Sequence, residues 1–312
     1  MSDSLPHDDL SGHLGHLTAS QEQSLSAFKE SLKKAGLYSA GEGEQKASHD
    51  DATLLRFLRA RRWDVPKAQK QFADTQEWRK KHDVDNLYAT FNPEEFEDAK
   101  RFYPRWTGRR DRGGRPVYVY RLASIAPLQK ELHAIPPERR LQRIIALYEL
   151  MTNFSMQLCS SLPHDSQTTP ISSTTSIIDL ENVSLSSMWG LRNHLQEASS
   201  LATANYPETL HAIAVVNSPS FFPTIWRWVS AWFDEGTRRK IHVLGKDPGQ
   251  VLQTMIAQED LPIVYGGSLD WKFENEPSLD DAVKEAIGSM PKGPALFVNG
   301  AVTTPLNTMN EA

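Results

Sequence analysis

Residues 210–233 read LHAIAVVNSPSFFPTIWRWVSAWF. Leu210 to Val216 is apolar apart from His211 and reads as a strand, closed by Asn217-Ser218-Pro219. Ser220 then opens the densest aromatic run of the chain, with Phe221, Phe222, Trp226, Trp228, Trp232 and Phe233 alongside Ile225 and Val229. At about 100° per residue this run makes a helix. Thr224, Arg227 and Ala231 share one narrow stripe of it, with Ser230 beside them, and nearly everything else is apolar. Pro219 and Pro223 suit an entry turn, where a backbone N–H has no helical partner. Such a helix is either buried on most sides or faces something other than water. It is too short to span a bilayer. Two readings follow: a core helix, or a movable lid or membrane-contacting element. The second draws on the amphipathic character of tryptophan, which sits well at an interface.

Outward from this unit, strands and helices alternate. Downstream come a connector ending in Glu-Gly-Thr-Arg-Arg, the strand KIHVLG at 240–245, and a helix PGQVLQTMIA capped by Asp247. The loop LPIVYGG at 261–267 follows, then a last helix over Asp280–Met290 and a loose tail after Pro294. Upstream lie a helix over Ser186–Ala202, a strand over Ser173–Leu180 and a long helix opened by Pro136 and Pro137. Before these, DRGGRPVYVYRL reads as a turn and a strand. The alternation predicts a largely parallel sheet with covering helices. The first hundred residues are helical instead. Leu25, Phe28, Leu32 and Ala35 share one face of a helix over Gln21–Leu37, which Gly36 stops. Ser48 or Asp50 caps DDATLLRFLRARRW, Asp64 caps VPKAQKQFADTQEWRKKH, and Asn92 with Pro93 starts a fourth helix. Residues 1–18 read as a disordered tail.

The chain of 312 residues is 39% hydrophobic and 23% charged, with net charge −5. That composition is ordinary for a globular protein and speaks against nucleic acid as a partner. One cysteine, Cys159, permits no internal disulfide, fits a reducing compartment and reads as a small core residue. The N-terminus lacks the apolar segment of a secretory signal, and no apolar run reaches transmembrane length. A cytoplasmic protein with peripheral membrane contact is therefore expected. No G-x-S-x-G, P-loop, GxGxxG or HExxH is present, and no spacing singles out Tyr118, His211 or Glu208 as acid/base groups. The chain is not expected to be an enzyme, and no metal or cofactor is expected. His-Asp pairs at His7, His49, His82 and His164 read as surface turns or helix ends. The informative charges are cations. Arg56, Arg59, Arg61 and Arg62 crowd one helix end, with Arg59 and Arg62 on one face and Arg61 pointing elsewhere. Thr237, Arg238, Arg239 and Lys240 lead into a strand, where a cation needs an anionic partner or an open mouth. Cations converging beside a hydroxyl suit a phosphate. The basic stretch Arg105–Arg115 reads as a solvated turn within reach of anionic lipid.

LLRFLRARRWDVPKA followed by EWRKKH resembles the helical N-terminal module of the CRAL-TRIO lipid-binding domains. FYPRWTGRRDRGGRPVYVYRL, SIIDLENVSLSS, NYPETLHAIAVVNSPSFF, and TRRKIHVLG with LPIVYGG resemble their lipid-binding lobe. Among these domains the chain resembles the fungal secretory-pathway phosphatidylinositol/phosphatidylcholine transfer proteins, from about residue 20 to about residue 275. The resemblance implies an α/β fold: a helical tripod over residues 19–101, packed on a lobe over 102–275 whose parallel-rich sheet floors an apolar pocket. A C-terminal helix and loose tail occupy 276–312. The aromatic run stands where the family has its gate helix.

The resemblance also implies ligands. Arg61, Arg62, Thr237 and Lys240 match the family's phosphatidylinositol site, with Arg in place of Lys at position 62; Asp111 matches a headgroup neighbour and Glu208 a gate-side acid. For the second lipid, Thr174 and Ser176 keep the two floor hydroxyls in swapped order and Tyr118 keeps one choline-side tyrosine. Thr107 stands where the other tyrosine is expected, beside Trp106. Aromatic faces hold choline, so the second lipid is phosphatidylcholine or another hydrophobe. The implied function is exchange of phosphatidylinositol for that second lipid by a monomer that touches secretory-pathway or plasma membranes transiently. Its rivals are a sensor presenting phosphatidylinositol to a lipid kinase, and a binder of sterol or another hydrophobe.

Overall fold

The computed structural model describes residues 10–41, 46–233 and 235–310. Three helices open it: α1 (Ala19–Lys34), α2 (Asp51–Ala60) and α3 (Val65–Lys81). Each start is fixed by a side chain accepting from orphan backbone N–H groups. Thr18 and Gln21 form a capping box, Asp50 accepts from the Thr53 N–H at 2.7 Å, and Asp64 accepts from the Lys67 N–H at 3.1 Å. The three helices close over Phe28, Leu32, Leu54, Leu58 and Phe72, with Phe28 and Phe57 edge-on to Phe72. Two short helices follow, α4 (Val84–Ala89) and α5 (Pro93–Ala99). Of the segment read as a disordered tail, residues 1–9 lie outside the described residues. Residues 10–18 are laid down on the protein: Thr169 Oγ1 donates to the Leu14 carbonyl at 2.9 Å, and His16 Nε2 lies 3.1 Å from Ser166 Oγ.

The sheet runs β1 (Arg105–Arg110), β2 (Pro116–Arg121), β3 (Thr174–Asp179), β4 (Leu210–Val216), β5 (Ile241–Val243), in that spatial order. All neighbours are parallel except β1 and β2. β1 corrects the sequence reading, which put Arg105–Arg115 in a solvated turn. Its cations are held within the lobe: Arg105 donates to the Phe273 carbonyl at 2.8 Å, Arg109 pairs with Asp260 at 3.4 Å, and Arg110 pairs with Asp280 at 2.9 Å. The strand was hidden because charge, not alternating apolar residues, fills it. It bulges between Trp106 and Arg110, where Gly108 takes φ +86° and lets the Ser278 N–H reach the Thr107 carbonyl at 2.7 Å. A Cβ on Gly108 would sit 2.6 Å from the Ser278 carbonyl carbon.

Period-2 alternation gives the sheet two faces. Val117, Val119, Ile177, Ala212, Ala214 and Val216 are buried in the main core. Tyr118, Tyr120, Ser176, Ile178 and Ile213 face the other way, into a cavity. The helices of the lobe are α6 (Gln129–Ala134), α7 (Pro137–Leu150), α8 (Met156–Ser161), α9 (Leu185–Asn205), α10 (Phe222–Val229), α11 (Glu235–Arg239) and α12 (Gly249–Met255). A π-turn over Met151–Ser155 joins α7 to α8. The aromatic run is not one helix to Phe233: α10 ends at Val229 and Ser230–Trp232 tightens into a 3₁₀ turn. Phe222 and Ile225 are buried in the core, and Thr224, Arg227 and Ala231 are exposed, as the stripe requires.

The C-terminus corrects a second expectation. After α13 (Asp281–Ile287), residues beyond Pro294 form a hairpin, β6 (Leu296–Val298) and β7 (Ala301–Thr303), and then α14 (Pro305–Asn310). Asn299 and Gly300 turn the hairpin with φ +52° and +80°, the pair of positive angles that Asn-Gly supplies. Tyr88 anchors it, donating to the Ala295 carbonyl at 2.8 Å and accepting from the Ala295 N–H at 3.0 Å.

Candidate functional site

A cavity of about 400 Å³ lies between the sheet, α7 and α9. β2, β3 and β4 give the floor, Ile144, Leu147, Tyr148 and Met151 one wall, and Leu195, Ala198 and Ala202 of α9 the other. The end of α2 and the start of α11 frame a mouth with Arg59, Arg61, Arg62, Glu208 and Thr237. The interior is mostly apolar and the mouth cationic, the combination that suits an amphipathic ligand. No group of three or more His, Cys, Asp or Glu side chains able to hold a metal ion occurs among the described residues.

Arg61 and Arg62 both line the mouth, which corrects the reading that Arg61 points elsewhere. That reading continued α2 past its end. The helix stops at Ala60, and Arg62 and Trp63 take φ +51° and +65°, while the Trp63 N–H closes the end on the Leu58 carbonyl at 2.8 Å. The turn brings Arg59, Arg61 and Arg62 all to the opening rather than along one helix face. Arg62 pairs with Glu235 at 3.4 Å across the mouth. Arg59 is mostly buried; burial lowers its pKa to about 10, with Glu208 opposing the shift.

Thr237 lines the mouth and Lys240 does not. Lys240 Nζ donates to Glu208 Oε2 and to the Leu210 carbonyl, each at 2.9 Å. Glu208, at φ +57°, thus stands between Lys240 and Arg59, whose Nε is 4.0 Å from the same carboxylate oxygen. Tyr118, Thr174 and Ser176 line the floor as expected. Thr107 and Asp111 are not among the lining residues. Thr107 is fully buried in the β1–β2 ladder and donates to the Val117 carbonyl at 3.1 Å. Asp111 accepts from Thr175 Oγ1 at 2.6 Å and from the Gly113 and Arg115 N–H groups at 2.9 Å. Burial pushes its carboxyl upward against the pull of Arg115. It holds the turn.

Of the aromatic run, Phe233 alone lines the cavity among the described residues. Phe221, Trp226 and Val229 pack against the core from α10, Trp226 stacking on Phe222. Trp232 is half-buried in the 3₁₀ turn. Trp228 is 51% exposed and meets Trp189 of α9, itself 55% exposed, edge-on at 6.0 Å between ring centres. Sequence reading missed Gln71, Tyr103, Tyr120, Tyr148, His194 and Tyr206, all of which line the cavity. They come from α3, the approach to β1, β2, α7 and α9, so no local spacing links them. Tyr120 alone carried a signal, alternating with Tyr118 on the same strand face.

The helical module is tied to the cavity wall by a buried carboxylate. Glu149 of α7 accepts from Arg79 of α3 at 2.7 and 3.2 Å, from the Tyr206 hydroxyl at 2.5 Å and from Asn153 at 2.9 Å. Burial alone would lower the Arg79 pKa, but the Glu149 charge and hydrogen bonds raise it. Gln71 adds a second tie, donating to the Thr203 and Ala204 carbonyls of α9 at 3.1 and 3.0 Å.

Comparison with known proteins fits this architecture. Residues 103–267 match the CRAL/TRIO domain and residues 24–74 the CRAL/TRIO N-terminal domain. The chain is 32% identical to the Sec14 cytosolic factor of Schizosaccharomyces pombe over 257 residues, 82% of this chain and 85% of that protein. It is 30% identical to the Arabidopsis thaliana phosphatidylinositol/phosphatidylcholine transfer protein SFH9 over 90% of this chain but 49% of that longer protein. The crystal structure of Sfh5 shares the fold with a TM-score of 0.61 at 19% identity, covering 85% of this chain and 93% of that one. The chain belongs to the CRAL/TRIO domain family.

Proposed function

We propose that the chain is a lipid-transfer protein that holds one phosphatidylinositol in this cavity and exchanges it for a second lipid at a membrane surface. The observation that carries the proposal is the apolar cavity opening through Arg59, Arg61, Arg62 and Thr237. The acyl chains leave water for the interior at about 0.8 kcal/mol per CH₂, which a bilayer offers equally. Net affinity therefore comes from the headgroup, and exchange needs no covalent step. Glu208 occupies the space between Arg59 and Lys240 that a phosphate would take. When an inositol phosphate enters, Lys240 turns from Glu208 to the ligand, and Arg61, Arg62 and Thr237 complete its shell. Asp111 and Thr107 have no direct part. For phosphatidylcholine as the second lipid, Thr174 and Ser176 offer hydroxyls. Tyr103, Tyr118, Tyr120 and Tyr148 offer the aromatic faces that Thr107 cannot. α10 acts as the gate, touching the bilayer while the cavity is open, and the protein works as a cytoplasmic monomer.

The test is incubation of the purified protein with mixed phosphatidylinositol and phosphatidylcholine vesicles, followed by native mass spectrometry and identification of the extracted lipid. We expect about one phospholipid per chain. The Arg61→Ala, Thr237→Asp double variant should lose phosphatidylinositol while its circular dichroism and melting temperature stay unchanged. A double variant that transfers phosphatidylinositol at the parent rate sinks the headgroup assignment. A sterol in place of phospholipid would favour the alternative ligand class.

A further inference from the structure

His194 sits on the inner face of α9, lines the cavity and is 5% exposed. Neither ring nitrogen has a hydrogen-bond partner among the described residues. The Phe102 carbonyl, which accepts from the Tyr120 hydroxyl at 3.0 Å, lies close enough to the ring to oppose the lowering of its pKa, but no hydrogen bond of normal geometry joins the two. The Tyr103 ring stands 5.1 Å away, centre to centre, and offers a face rather than a lone pair. Burial, reinforced by the Arg140 charge, lowers the ring's pKa to about 4. At neutral pH it is therefore an uncharged imidazole with one open donor and one open acceptor. A buried nitrogen without a partner carries a desolvation penalty that a carbon in its place would not. For folding alone, phenylalanine would serve better here.

Two further cavity-lining atoms, one on α9 and one on α3, also lack a partner among the described residues. Ser199 Oγ is buried without a partner. Gln71 commits both amide hydrogens to the Thr203 and Ala204 carbonyls, which orients the group and leaves Oε1 as a spare acceptor with no donor. Both residues line the cavity with His194. A hydrocarbon chain and a quaternary ammonium satisfy none of these atoms.

We infer that His194 is a ligand-recognition residue whose ring hydrogen-bonds an oxygen of the bound lipid, an ester carbonyl or a hydroxyl, held inside the cavity away from the cationic mouth. The inference rests on the lipid-binding reading above and extends it: the polar end of the ligand at the mouth is not its only anchored part. A site built to pair a ligand oxygen discriminates strongly against analogues lacking it, because its own buried atom is then left unpaired.

The test compares the parent protein with His194→Phe and His194→Gln. Each is incubated with vesicles of phosphatidylinositol and phosphatidylcholine, and separately with the same vesicles containing cholesterol, and the bound lipid is extracted and quantified. We expect His194→Phe to melt at or above the parent temperature yet to load its preferred lipid about tenfold more weakly, the equivalent of about 1.4 kcal/mol. His194→Gln, which keeps a donor and an acceptor, should recover most of the loading. The species that falls in His194→Phe tells an ester carbonyl from a sterol hydroxyl. His194→Phe loading every lipid as the parent does overturns the inference and leaves the transfer reading standing. A parent protein that loads no lipid overturns both. Should His194→Phe not fold, the ¹⁵N resonances of the His194 ring in the parent protein decide: they must move on loading, and unmoved resonances overturn the inference.

Discussion

Glu149 shows how much a single residue can hold. It is 3% exposed and gathers Arg79, Tyr206 and Asn153, joining α3, the end of α9 and the π-turn around one carboxylate. A buried ion pair adds little net stability over an apolar pair, but removing one partner strands the other. Glu149→Ala leaves Arg79 only the exposed Asp85 as counter-charge among the described residues and strands the Tyr206 hydroxyl, so it should cost about 3 kcal/mol, the lower end of that penalty, read as a fall in the urea midpoint. The Glu149→Ala, Arg79→Met double variant should recover much of that. A loss below about 1 kcal/mol would show that Arg79 finds water instead. The candidate site was legible in sequence only where its residues lie close along the chain. The cation clusters at Arg56–Arg62 and Thr237–Lys240 stood out because their residues lie close along the chain, but Arg61, Arg62, Thr237 and Lys240 were assigned to one site by the family resemblance. Asp111 and Thr107 were placed by likeness to a pattern, and the fold uses both in backbone support of β1 and β2.

At the level of elements, the apolar strands and capped helices were readable because each states its period within one segment. The charged strand β1 was not, and the hairpin at Asn299-Gly300 was passed over although Asn-Gly between apolar runs is the strongest short hairpin signal. α10 was found by its aromatic density, but its aromatic neighbour on α9 was not. Leu185 and Trp189 at the start of α9 are more than half exposed, and Trp189 meets Trp228 edge-on while Arg192 lies 4.2 Å over the Trp189 ring. If this pair touches the bilayer during exchange, its loss should be visible in rate and not in occupancy. Trp189→Ser with Trp228→Ser should slow phospholipid exchange between vesicles several-fold while bound lipid per chain and melting temperature stay as in the parent. An unchanged exchange rate would confine the pair to covering the surface. Exposed tryptophans contribute little to folding, so stability is a clean control.

Over the whole molecule, the cavity is what no segment announces: strands, α7 and α9 each contribute a few residues, and their rings meet only after folding. Burial of titratable groups across the fold leaves a trace in the pH dependence of stability. Burial lowers the pKa values of His13 and His194 to about 4, against about 6.5 in the unfolded chain. Between those values the unfolded state takes up protons that the folded state refuses, so stability is full above about pH 6.5 and falls as pH drops toward 4. Tyrosines act on the other side. Burial raises Tyr148 to about 12 and moves Tyr88, Tyr103, Tyr118, Tyr120, Tyr206 and Tyr265 upward as well. The unfolded chain gives up those protons at about pH 10 while the folded one keeps them, so stability is full below that pH and lost as pH rises above it. The urea midpoint should form a plateau between about pH 7 and pH 9 and fall on both flanks. A midpoint that holds steady from pH 9 to 11 would mean these tyrosines are wet. The acid flank carries one further check: His194→Phe removes one of the two most strongly shifted histidines, so its midpoint should fall less steeply than the parent's between pH 6.5 and 4. An identical slope in that variant would show that the His194 ring accepts a proton in the folded protein, and so lies in water rather than against the apolar wall.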